Sequence, residues 1–129
     1  MGRMLSSDKA MGFSEAPASH HAELLKQFDI ASIIRDTRND PKVHPGRITK
    51  MLSKGPGLRI GLVLMEAGAT WEEHKTESRI IVQPLEGRIR FSTRDRATEI
   101  GPGELLVLAP GEPHSVEALE QTAFLLTLG

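Results

Sequence analysis

Imidazole is the side chain in this sequence best suited to chemistry, and two of the five histidines, His74 and His114, lie among the short strand-like runs. A neutral imidazole donates a hydrogen bond from one ring nitrogen and accepts at the other, and its ordinary pKa lets it move protons near neutral pH. Thr76 and Ile80 follow His74 at even spacing, and Trp71 precedes it. Side chains alternate across a strand, so a regular strand through this stretch places residues 74, 76, 78, 80 and 82 on one face. Glu72 shares that parity, whereas Glu73 and Glu77 have the opposite one. A stable metal site needs about three or four ligands of suitable softness. This stretch offers one imidazole, a neutral hydroxyl and a hydrocarbon, and His114 supplies a second imidazole further along the chain. His74 and His114 are the candidate ligands for any divalent metal, and no cofactor is expected. There is no cysteine, so thiolate catalysis and thiolate metal sites are excluded. No partnered nucleophile or second carboxylate makes an acid/base reaction specific. The two histidines read either as hydrogen-bonded scaffold or as contacts for a bound molecule. Trp71, the sole Trp in a chain without Tyr, is placed to cover or stack on such a molecule, or to fill the rim by packing.

The elements that must position these residues are mostly strands. Arg47 to Lys54 and Leu58 to Glu66 read as a hairpin around Gly55-Pro56-Gly57. Further short runs follow at Arg79 to Leu85, Arg88 to Thr93, Leu105 to Leu108 and Ala123 to Leu128. They are punctuated by Glu86-Gly87, Arg94-Asp95, Gly101-Pro102-Gly103 and Pro110-Gly111. Short strands at such spacing predict an all-β sandwich or barrel, and closure of a barrel would remove exposed edges. Ahead of it, Leu24, Leu25 and Phe28 share a helical face, and Asp29 can cap a further turn carrying Ile30, Ile33 and Ile34. Asn39-Asp40-Pro41 and His44-Pro45-Gly46 stop the helix. The division is therefore a flexible leader over residues 1 to 18, a helical extension over 19 to 45, and a β domain over 46 to 129.

Two ordered motifs refine the fold. Gly68, His74, Thr76, Ile80 and Gly87 stand with five, one, three and six residues between them. That frame resembles the first motif of the cupin superfamily, in which His stands at position 76 and Glu at position 80. Gly103, Ala109, Pro110, Gly111 and His114 resemble the second motif, with Ala109 where cupins carry Pro and Ala118 where they carry Asn. The chain is thus similar to small single-domain bacterial cupins of the RmlC-like kind that carry His74-Lys75-Thr76 in the first motif. The resemblance implies a small jelly-roll barrel with a short N-terminal helical extension, His74 and His114 facing its interior, and a homodimer.

Composition limits the function further. Sixteen basic and 17 acidic residues among 129 give a formal net charge of −1, so no broad field gathers nucleic acid or anionic membrane. The length suits one domain. Met4-Leu5 followed by Ser6-Ser7-Asp8-Lys9 is not a secretory apolar run, and a cytoplasmic location is expected. Together these readings predict a protein that binds a small polar molecule among His74, Thr76, Ile80, His114 and Trp71 without a full metal site. The alternative is a cupin-type isomerase, epimerase or dioxygenase using His74 and His114 as acid/base groups or as a reduced metal site.

Overall fold

The computed structural model describes residues 24–42 and 46–129, so the expected leader and the Pro45 stop lie outside the described residues. Helix α1 spans Ile30–Arg38, and its start is fixed by chemistry: Asp29 has extended backbone and its carboxylate accepts from the Ser32 amide. The Ser32 hydroxyl donates to the other carboxylate oxygen at 2.7 Å. These bonds satisfy a free N–H of the first turn, and the side-chain bond from Ser32 is the main reason the Asp29 carboxyl sits below its usual range. Asn39 closes the helix by donating its amide to the Arg35 carbonyl.

Leu24, Leu25 and Phe28 depart from the expected helical face. They precede the cap in non-helical backbone, and Leu24 and Leu25 are 86% and 82% exposed. A single turn ahead of Asp29 has no packing to offset the cost of helix nucleation. The capped helix does have packing. Ile34 joins Leu62, Leu64 and Ala123 in one buried cluster, with Ile30 and Ile33 against it, and Arg38 donates to Glu86 at 2.6 Å. The helix thus covers the outside of its own sheet.

Nine strands follow: β1 (Arg47–Gly55), β2 (Leu58–Met65), β3 (Thr70–His74), β4 (Ile80–Glu86), β5 (Ile89–Thr93), β6 (Ala97–Ile100), β7 (Leu106–Leu108), β8 (His114–Ala118) and β9 (Thr122–Leu128). They form a five-stranded sheet in the order β1-β2-β9-β4-β7 and a four-stranded sheet in the order β3-β8-β5-β6. All recorded pairings are antiparallel. The predicted barrel is therefore a jelly roll of two facing sheets that retain edges, because the chain passes repeatedly from one sheet to the other and the outer strands β6 and β7 are short. The expected β1–β2 hairpin turns at Pro56-Gly57, where Gly57 has φ 82°. Strands β3, β6 and β8 were not separable from loop in the sequence.

The two sheets enclose Val63, Met65, Val82, Ile89, Phe91 and Phe124, all at most 3% exposed. Gly87, between β4 and β5, has φ 75°. A Cβ there would run into the carbonyl oxygen of Gln121. The closing glycine of the first motif is thus required by backbone angle and by close approach of a second chain segment.

Candidate functional site

The site begins with a register shift. Trp71 of β3 pairs with Val116 of β8, and His74 pairs with His114, so β3 takes three steps where β8 takes two. A bulge of this kind leaves one extra residue on the longer strand and changes its facing. Trp71 and His74, which regular alternation would put on opposite faces, consequently stack with ring centroids 4.9 Å apart and planes inclined by 17°. Glu72 and Glu73, within the bulge, are exposed. The shared parity of Glu72 and His74 therefore does not make the Glu72 carboxylate a neighbour of the imidazole. Glu72 contributes its backbone instead, its carbonyl accepting a hydrogen bond from His74 Nδ1 at 2.7 Å.

His114 repeats this arrangement. Its Nδ1 donates to the Glu112 carbonyl two residues earlier, at 2.9 Å. The ring meets His74 edge-on at 4.3 Å between centroids and lies parallel to Phe91 at 5.4 Å. His114 is 4% exposed, and burial is the main reason its pKa is lowered from 6.5. The neighbouring His74 lowers it further, while the Glu112 carbonyl opposes the shift. Burial in apolar surroundings disfavours the charged ring, so His114 is neutral at pH 7. A carbonyl can only accept, so in their neutral forms both rings carry their hydrogen on Nδ1 and leave Nε2 as an acceptor. Among the described residues, neither Nε2 has a recorded hydrogen-bond partner.

Thr76 and Ile80 reach the same place by a route other than strand alternation. β3 ends at His74, and residues 75–79 form a connection to the opposite sheet. There the Thr76 hydroxyl accepts from the Ser78 amide at 3.1 Å, and the Thr76 carbonyl accepts from the Gly111 amide at 2.8 Å. Ile80 then opens β4 and is 3% exposed. The proposed common face through residue 78 does not form.

All five predicted residues, Trp71, His74, Thr76, Ile80 and His114, line one cavity of about 430 Å³ between the sheets. Its wall is mainly hydrocarbon, including Val82, Val116, Phe124 and Leu126, and it contains no Asp, Glu or Cys side chain. Sequence reasoning missed the third side of the mouth, formed by Arg47, Thr49 and Met51 of β1. The Arg47 guanidinium carbon lies 3.8 Å from the centre of the Trp71 ring, a cation–π contact that joins β1 to β3 across the opening. Local spacing carries no sign of this contact, because it depends on two outer strands meeting. A second cavity of about 330 Å³ lies by β6 and β7 and contains no histidine.

The cavity offers a divalent metal two imidazoles and no carboxylate or thiolate. No group of three His, Cys, Asp or Glu side chains able to hold one occurs among the described residues. The Thr76 oxygen already caps its own loop, and Ile80 supplies no lone pair. No helix among the described residues is long and apolar enough to cross a membrane.

Comparison with known proteins places this geometry. The model of the family described as the AraC-like ligand binding domain matches residues 59–128. None of the curated proteins matches the chain. Among solved structures, a cupin-2 domain protein from Shewanella frigidimarina is similar at 15% identity and TM-score 0.64, over 78% of this chain and 91% of that one. An RmlC-like cupin from Desulfovibrio desulfuricans is similar at 20% identity and TM-score 0.60, over 70% and 92%. KdgF from a Halomonas species is similar at 22% identity and TM-score 0.63, over 70% and 87%. Likeness at these identities is a likeness of fold.

Proposed function

This chain belongs to the family of AraC-like ligand-binding domains and has the cupin fold, and from that premise we propose that it binds a small polar molecule in the cavity of His74, His114 and Trp71 without a full metal site. One observation carries the reading: a largely apolar cavity of about 430 Å³ contains two imidazoles, each oriented by a backbone carbonyl. Concave, mainly hydrocarbon pockets with a few placed polar groups are the usual form of small-molecule sites. Orienting both rings before a ligand arrives reduces the ordering cost of binding.

The cavity supports catalysis less well. Cupin-type isomerisation, epimerisation or oxygenation would have to draw its acid/base groups or its reduced metal site from the two imidazoles, since no carboxylate or thiol lines the wall. A cytoplasmic homodimer fits the small balanced charge and the family resemblance, and belongs to the same proposal.

The sole Trp provides the assay. A fragment panel is screened by Trp71 fluorescence and by thermal shift, each fragment at one concentration for both parent and His114→Gln. Ligand stabilisation follows mass action, so a fragment bound in this cavity stabilises the parent and loses most of that effect in the variant. Equal shifts in the two folded proteins would place binding elsewhere. Turnover of a bound fragment would move the assignment to an enzyme.

A further inference from the structure

We infer that the cavity selects a neutral, largely hydrocarbon molecule bearing two adjacent hydroxyl groups, and that the histidines recognise it as hydrogen-bond acceptors. This rests on the cavity being the binding site, and it adds the class of ligand. The decisive contacts are the two Nδ1 bonds. His74 Nδ1 donates to the Glu72 carbonyl at 2.7 Å and His114 Nδ1 to the Glu112 carbonyl at 2.9 Å. A neutral imidazole has one N–H, and in each ring the backbone has taken it. What remains toward a ligand is the lone pair of Nε2. An imidazole with a free N–H could have greeted a carboxylate or ketone, but these two oppose such a ligand with like partial charge.

Proximity suggests the number of donors. The imidazole centroids are 4.3 Å apart with the rings edge to face, so hydroxyls on neighbouring atoms of one ligand suit one donor for each ring. The remaining wall sets the body. Ile80, Val82, Val116, Phe124 and Leu126 offer no hydrogen bonds from their side chains, and an unpaired hydroxyl against them would lose its water without replacement. A polyhydroxylated sugar would set several hydroxyls against that hydrocarbon, with only Arg47, Thr49 and Thr76 besides the histidines to pair them. A cyclic hydrocarbon with one vicinal diol satisfies both parts of the wall. The cation in the lining does not reverse this choice, because the Arg47 guanidinium is engaged over the Trp71 ring at 3.8 Å.

Three probes of nearly one shape separate the possibilities: cis-cyclohexane-1,2-diol, its dimethyl ether, and cyclohexanecarboxylate. Each is titrated by calorimetry and Trp71 fluorescence into protein freed of metal by chelator. The diol is expected to bind roughly tenfold or more tightly than the ether or the carboxylate, a factor consistent with the loss of one or two hydrogen bonds. His74→Gln and His114→Gln should each weaken the diol. Binding of the ether or carboxylate as tightly as the diol, still dependent on the histidines, would overturn the ligand class and leave the binding site standing. Absence of diol binding up to its solubility overturns the class as well, and the fragment panel then decides separately whether the cavity binds anything. Long-range ¹H–¹⁵N spectra of the unsubstituted protein test the premise without any variant. Both neutral rings should show protonated Nδ1 and bare Nε2, and a proton on Nε2 in either ring would overturn the proposal.

Discussion

Replacing His114 by Gln should remove an acid-side loss of stability that the parent displays. In the unfolded chain His114 titrates with its ordinary pKa of 6.5, whereas in the fold burial beside His74 lowers that value. Below pH 6.5 the unfolded chain therefore takes up a proton that the folded chain resists. The sign follows from linkage: this contribution to stability is present above pH 6.5 and is lost as pH falls from there to the folded pKa. One group contributes a slope of at most about 1.4 kcal/mol per pH unit. The Glu112 carbonyl opposes the shift and keeps the loss below what burial alone would produce. Gln removes the titration while retaining an amide able to donate to the same carbonyl. Urea unfolding of both proteins, followed by Trp71 fluorescence between about pH 7.5 and 5.0, yields a difference curve for the two histidines in contact. It should be flat above pH 6.5 and fall below it, with little change in m. Parallel stability profiles through that range would refute the argument that the buried ring is held neutral.

Gly87→Ala should destabilise the fold by about 1–3 kcal/mol through its left-handed backbone alone, and more through the approach of Gln121, read as a lower urea midpoint. Ile34→Ala should cost about 2–5 kcal/mol, since Ile34 is 5% exposed in the cluster that joins the helix to its sheet. A negligible change would detach α1 from the account of stability. The pair Thr76→His with Ile80→Glu should create a set of three histidines and one carboxylate suited to a divalent transition metal. Without metal the pair should be less stable than the parent because a carboxylate replaces buried Ile80, and Zn, Mn or Ni should restore it. Tight stoichiometric metal uptake by the parent in the same calorimetry would contradict the incomplete donor set.

The sequence revealed the fold where local chemistry is strong. Pro56-Gly57 marks the first hairpin, Asp29 marks the start of the helix, and the spaced glycines and histidines mark the two motifs. It concealed β3 and β8, whose Thr70-Trp71-Glu72-Glu73-His74 and His114-Ser115-Val116-Glu117-Ala118 mix charge with apolar groups. Their pairing is non-local, and only the partner strand explains the mixture. The five candidate residues do meet at one cavity, yet the alternation used to group three of them is not what unites them. A bulge brings Trp71 beside His74, and a change of sheet brings Ile80 opposite. Arg47 and Met51 were illegible for a related reason, since an outer strand becomes a cavity wall only when the two sheets face each other.

The position of that wall has a kinetic consequence. β1 and β3 are each outer strands of their sheets, so backbone ladders tie each one on a single side, and the Arg47–Trp71 contact links the two beside the cavity. Such a contact amounts to about 0.5–2 kcal/mol, a barrier small beside that of unzipping a strand pair. A molecule bound in the proposed site would therefore be expected to escape by a brief parting of side chains while both sheets remain intact. Rim substitutions such as Arg47→Ala should shorten the residence time of a bound molecule while leaving the inner contacts, and hence its selectivity among similar shapes, largely as they were.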